Sequence, residues 1–248
     1  MGIKDNIVIR EKDIISIVGA GGKTSLMYAL GEELKNKKVL LSTTTKILPP
    51  RFDEVDFYGI GQVAYLDISK NIKSGSFLYA NSLTKEGKVD SIPLEYIKKL
   101  KEDFDYIILE SDGSKRKPLK GWKKDEPVIS KETTITIGVF DITTLNKLVN
   151  ENLVYRIKEF LEISKAREEK VLKDEHIVNM IFNEEGLFKN SVGRKILFIN
   201  KVENKENEKV LNKLIDKINE KNKEKRLIER IVYGSIKNKK VKTFILKN

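Results

Sequence analysis

The chain of 248 residues contains no cysteine and a single histidine, His176. The first absence excludes disulfides, thiolate zinc sites, iron–sulfur ligation and a cysteine nucleophile. The second leaves no basis for a histidine-rich metal centre. Long apolar runs are missing too, since none approaches the roughly 18–20 residues that span a bilayer. The opening "MGIKDNIVIREKDIISIVGAGG" carries charges every few residues and lacks the apolar core of a secretory signal. A soluble, cytoplasmic protein without membrane contact is therefore expected. Dense arginine patches and interleaved aromatic platforms are also lacking, so the net charge of +11 does not point to a specific nucleic-acid partner. Stretches such as "KVENKENEKVLNKLIDKINEKNKEKRLIER" mix both signs, as solvated helix faces do.

What is present is an alternation of strand-like and helix-like segments. Strands are expected at Asp13–Gly19, Lys38–Thr45, Ser76–Ala80, Asp105–Glu110, Thr134–Phe140, Lys195–Asn200, Arg230–Ser235 and Val241–Leu246. Their largely unbroken apolar character suits parallel strands covered on both faces. Helices are expected at Ser25–Asn36, at Pro93–Glu102 and around Val210, Leu211, Leu214, Ile215 and Ile218, which share one face. The pattern predicts an α/β fold with a doubly wound, mostly parallel sheet, in one domain spanning 1–248. Between about Asn146 and Asn190, "LVNENLVYRIKEFLEI" and "DEHIVNMIFNEEGLF" both read as helical. They predict a helical insertion or cap within that domain.

The chemistry begins at "VGAGGKTS". The usual phosphate loop is G-x-x-x-x-G-K-[ST], which would put a glycine where Ile17 stands. This chain offers a shorter form, Gly19-Ala20-Gly21-Gly22-Lys23-Thr24-Ser25, between an apolar strand and a helix. Glycines permit the positive φ and close approach that a phosphate needs, and successive amides at a helix start form an anion nest. Lys23 is expected to neutralise β/γ-phosphate charge, and Thr24 to offer a hydroxyl to Mg²⁺. The competing reading is a glycine-rich turn that only tightens a strand–helix junction.

A metal-binding acid is expected at the end of a neighbouring strand, and "DYIILESDG" supplies Glu110. Gly113, three residues on, is spaced for a backbone N–H near the γ-phosphate. Asp112 is a candidate second metal ligand or an orienter of the attacking group. In "STTTKILPP", Thr44 or Thr45 is placed to reach Mg²⁺ or phosphate, and Lys46 adds charge. Asn200-Lys201-Val202-Glu203 follows a strand where guanine-reading proteins carry N-K-x-D, with glutamate in place of aspartate. GTP and ATP both remain open, with guanine favoured. The basic loop "SDGSKRKPLKGWKKDEPVIS" could hold an anionic substrate or clamp the transferring phosphoryl group, with Arg116 the best single candidate. Trp122 is expected to pack, His176 to lie at a surface or core edge, and Arg156 with Glu159 to form an ion pair.

Taken together, "VGAGGKTSLMYALGEEL", "LLSTTTKILPP", "ESDGSKRKPLKGWKKDEPVI", "IGVFDI" and "INKVE" resemble the YqeC family, in order from Ile14 to about Glu203. Ser111 stands where alanine is often seen, and Glu203 where aspartate is expected. The resemblance implies a P-loop NTPase-like protein that acts as an accessory factor for selenium-dependent molybdenum hydroxylases, in making or inserting their selenium cofactor. The implied partners are those enzymes or their maturation factors. The short loop also resembles that of dimeric metal-insertion GTPases, which implies a homodimer, and that of ATP-dependent amide ligases. Two readings compete with an Mg²⁺-dependent NTPase: an ATP-dependent ligase or kinase acting on a small anionic metabolite, and a non-enzymatic basic scaffold.

Overall fold

The computed structural model describes residues 1–62, 64 and 70–246. Each of the six residues of β1 (Ile14–Gly19) is buried, and β1 lies at the middle of a nine-stranded sheet. Its flanks are β5 (Tyr106–Glu110) and β7 (Ile135–Asp141), both parallel to it. Beyond β5 come β2 (Lys38–Thr43), β4 (Gly75–Ala80) and β3 (Phe57–Ile60). Beyond β7 come β9 (Arg194–Asn200), β10 (Arg230–Ser235) and the antiparallel edge β11 (Lys240–Ile245). The chain fills one half of the sheet, returns to β5, then crosses to the other half. The strand order therefore reverses at β1, and the carboxyl end of β1 is where such sheets open a ligand crevice.

Alternation along β1 separates the two cores. Ile15 and Ile17 face α1 (Ile3–Ile7) and α2 (Lys23–Leu34), packing with Leu26, Leu30 and Phe198. Ile14 and Val18 face the other side, toward α3 (Ile97–Asp103), α4 (Ile157–Ser164), α5 (Asp174–Phe182) and α6 (Lys205–Lys225). α6 buries Leu211, Leu214, Ile215 and Ile218, one stripe at the i, i+3, i+4, i+7 spacing of an amphipathic helix. Its first turn is capped by the Asn204 side chain, which accepts from the Asn207 amide.

The mostly parallel α/β sheet matches the sequence expectation, and several boundaries shift for local reasons. β2 stops at Thr43 rather than Thr45, because the Thr43 hydroxyl accepts the Thr45 amide at 3.0 Å and closes a turn. The first stretch expected to be helical starts only at Ile157. Val154–Tyr155 (β8) instead pairs with Leu119–Lys120 (β6) in a two-stranded ladder, and Arg156 enters the left-handed region at φ 58° before the helix begins. The second stretch ends at Phe182, and a Cβ on Gly186 would stand 2.1 Å from the Met180 carbonyl oxygen. The edge strand β3 escapes the apolar pattern because its first two residues, Phe57 and Tyr58, are exposed.

Candidate functional site

The loop between β1 and α2 is shaped by close contacts that only glycine permits. Gly21 has φ +87°, and a Cβ there would lie 2.4 Å from the Asp141 Cβ. Gly22 has φ +136°, and its Cβ would meet the Asn200 Nδ2 at 2.4 Å. Gly22 caps α2, which begins at Lys23. The first intrahelical bond of α2 runs from the Leu26 amide to the Gly22 carbonyl at 2.9 Å. Amides before Leu26 have no carbonyl one turn back to donate to, so the turn at residues 22–25 is a positive, donor-rich rim. Gly19 and Ala20 do not belong to that rim, contrary to expectation. Their amides point inward, Gly19 to Asp112 Oδ2 at 3.0 Å and Ala20 to the Val139 carbonyl at 3.1 Å.

Thr24 and Glu110 come together as the metal reading requires. The Thr24 hydroxyl donates to Glu110 Oε2 at 2.6 Å, while Glu110 Oε1 stands 3.5 Å from Lys23 Nζ, and both Thr24 and Glu110 line the cleft. This is a hard oxygen set, the kind Mg²⁺ takes when water and phosphate complete its octahedron. Among the described residues no cluster of three His, Cys, Asp or Glu exists, so the donors fit a metal shared with a bound phosphate rather than a protein-only cage.

Asp112 lies elsewhere than the sequence reading put it. It is fully buried under the loop. Besides the Gly19 amide, its Oδ2 accepts the Trp122 indole N–H at 2.8 Å and pairs with Lys120 at 3.1 Å. Its Oδ1 stands 3.2 Å from Lys23 Nζ. Burial works against its charge, yet Lys23 and Lys120, with the Gly19 and Trp122 donors, hold its carboxyl below the usual range. Lys23 is the counterpart. Burial again opposes charge, but Asp112 and Glu110 raise its pKa, and Nζ also donates to the Gly19 carbonyl at 2.8 Å. Asp112 is thus a positioning residue for Lys23 rather than a group open to metal or substrate. Lys120 continues the chain, donating to the Gly113 carbonyl at 2.7 Å and pairing with Glu126 at 3.2 Å. Glu126 in turn pairs with Arg156 at 2.8 Å, where the sequence reading offered Glu159. Trp122 packs, as expected, at 3% exposure.

Thr44 and Thr45 are not brought to the loop. The Thr44 hydroxyl donates to the Val128 carbonyl at 2.7 Å, and Thr45 hydrogen-bonds Thr43. Asn200 is brought to it, because its amide donates to the Gly21 carbonyl at 2.9 Å while its oxygen accepts the Ile236 amide at 3.2 Å. Lys201 Nζ reaches Asp141 Oδ2 at 2.5 Å, and Ser235 donates to Glu203 at 2.7 Å. His176 sits at the start of α5, its Nδ1 accepting the Lys173 amide.

These parts line one cleft of about 1340 Å³ running along the carboxyl ends of the strands. Gly21, Gly22, Lys23, Thr24, Ser25, Glu110 and Gly113 lie on its wall, as do Arg116, Asn200, Lys201 and Glu203. Among the described residues, nine lysine and arginine side chains line it against three glutamates. The sequence reading missed Tyr28, Tyr155, Lys88 and Lys237 on this wall. Tyr28 alone had a signal, since it lies four residues after Thr24 on one helix face.

Fold and loop together define a doubly wound α/β protein, an architecture consistent with that of P-loop NTPases. The family profile described as "YqeC protein" matches residues 15–158. A curated relative, "Uncharacterized protein YqeC" of Escherichia coli (strain K12), is 32% identical over 202 residues, covering 78% of each chain. The chain belongs to the YqeC family. No solved structure matches it, and no described helix is long and apolar enough to cross a membrane.

Proposed function

We propose that the chain binds a nucleoside triphosphate with Mg²⁺ in the cytoplasm and cleaves or transfers its γ-phosphate. The observation that carries this reading is the junction of donor-rich turn, Lys23 and the Thr24–Glu110 pair at the end of β1. There, amides and lysine would cradle the phosphates, and Thr24 with Glu110 would hold the metal, which would supply charge neutralisation to the phosphates. Guanine is the favoured base. That preference is supported by the Glu203 carboxylate, fixed by Ser235 on the cleft wall next to Asn200. The biological role, maturation of selenium-containing molybdenum hydroxylases, rests on the family resemblance alone.

Titration with fluorescent GTP and ATP, with and without Mg²⁺, tests the site. The expected result is Mg²⁺-dependent affinity that falls about a hundredfold in Lys23→Ala, the loss of about 3 kcal/mol of charge-assisted contact. In Thr24→Val the metal dependence disappears. Affinity that ignores both Mg²⁺ and Lys23→Ala would remove the proposal.

A further inference from the structure

The sheet order divides the cleft. Asn200 ends β9 and Lys201 and Glu203 follow it, on one side of β1, whereas Glu110 ends β5 and Gly113 follows it on the other. A triphosphate on the loop, with its base toward β9, therefore directs its γ end toward the loops after β5, β2 and β4. Three cations come from those loops: Lys46 after β2, Lys88 after β4 and Arg116 after β5. Ile47 and Val89 exchange backbone hydrogen bonds of 3.1 and 2.8 Å, which ties the first two segments together. Both of those residues point into the core, at 5% and 0% exposure. Lys46 and Lys88, one residue before each, are exposed and line the cleft.

None of the three side chains forms an ion pair or hydrogen bond among the described residues. The carboxylate that senses both lysines is that of Glu86, exposed on the same turn and not in ion-pair contact. Tyr28 lies on the same wall at 9% exposure, but its hydroxyl is closed off from solvent, and the carboxylates of Glu54 and Glu110 act on it rather than the three cations.

Among the described residues, the same wall carries no free base. Of the three glutamates lining the cleft, Glu54 is held by Arg51 at 3.0 Å, Glu110 by Thr24 and Lys23, and Glu203 by Ser235. His176 does not line it. An alcohol or water attacking the γ-phosphorus needs a proton acceptor, and an oxyanion does not.

We infer that Lys46, Lys88 and Arg116 form a second-substrate subsite for a small oxyanion, a carboxylate or a phosphate, at the γ-phosphate end of the cleft. The inference rests on the nucleotide reading above. It also moves the anion site away from the Lys115–Lys124 loop as a whole. Lys120 is buried in the Asp112 chain, and Lys117 binds the Glu151 and Val154 carbonyls. In the transfer this placement allows, an acceptor oxygen bonds to the γ-phosphorus as the bond to the β,γ-bridging oxygen breaks. The electron pair leaves on the nucleoside diphosphate, no proton moves, and the cations offset the repulsion between the two anions.

The test is equilibrium dialysis of radiolabelled inorganic phosphate against the full chain saturated with Mg²⁺ and a non-hydrolysable nucleoside triphosphate. One phosphate per chain is expected. In Lys88→Ala/Arg116→Ala, both exposed positions, its affinity should fall about tenfold or more, while nucleotide affinity changes less than about threefold. Competition by succinate against unlabelled phosphate identifies which oxyanion the site prefers. Saturated chain that takes up no phosphate overturns the inference and leaves the nucleotide reading intact. Equal loss of nucleotide and phosphate in the double variant overturns it too, because the cations then serve the nucleotide. Wild-type chain that binds no nucleotide removes both.

Discussion

Replacing Asp112 by asparagine is the sharpest test of the buried charge chain. The substitution keeps the shape but removes the one charge that Lys23 and Lys120 share, at 3.2 and 3.1 Å. It also puts an amide N–H₂ where one oxygen accepted. Removing one partner of a buried pair costs about 3–5 kcal/mol because the other charge is stranded. Here both lysines keep a second carboxylate, Glu110 at 3.5 Å and Glu126 at 3.2 Å, so the lower end applies. For a chain of this length a loss of about 3 kcal/mol lowers Tm by about 6–12 °C. Thermal unfolding followed by circular dichroism at pH 7 reads it. In a Lys120→Met background the same substitution should cost less, since one stranded cation is already gone.

The pH arm has a definite sign. The folded Asp112 carboxyl has a depressed pKa, so the unfolded chain takes up the proton first on acidification. Its contribution is present above the reference value of 3.8 and is lost as pH falls through the folded value. Wild type should therefore lose stability faster than the asparagine variant below that pH. At the other end the Lys23 contribution holds below 10.5 and fades as pH rises through its raised folded pKa. A loss under about 1 kcal/mol at pH 7, or identical acid limbs, would refute the reasoning.

Gly22→Ala forces a side chain into φ +136° and against the Asn200 amide at 2.4 Å. It should cost of order 1–3 kcal/mol by strain, measured by chemical denaturation, and weaken triphosphate more than it weakens free base. Glu203→Ala should erase any preference for GTP over ATP by about tenfold, the worth of one charged hydrogen bond, while Mg²⁺ dependence in the same titration is unchanged. Trp122→Phe removes one donor from Asp112 and should lower Tm less than Asp112→Asn does.

The sequence made the frame legible where one physical signal dominated. β1, β5, β7 and β9 are apolar runs because both faces of the sheet are covered, and Gly-Lys-Thr after such a run marks the loop. Glu110 and Asp112 show the limit. Glu110 is the last residue of β5 and Asp112 lies two further on, so periodicity alone puts both on one side. What separates them is Trp122 and Lys120, whose burial depends on the β6–β8 ladder with a segment more than thirty residues later. Likewise Lys88 reaches the cleft only through the pairing of Ile47 with Val89, a contact no local pattern encodes. Thr44 and Thr45 looked available because strand alternation was extended past the turn that ends β2.

Lys120 holds the Gly113 carbonyl at one end of the basic loop, while its own strand residues pair with β8 at the other. The segment 114–118 is thereby fastened like a hasp on both sides, over a latch of buried charges. Within it Lys115 and Arg116 adopt the left-handed region, at φ 48° and 62°, and both line the cleft, so the charge they bring there is carried by side chains on a segment anchored at its two ends.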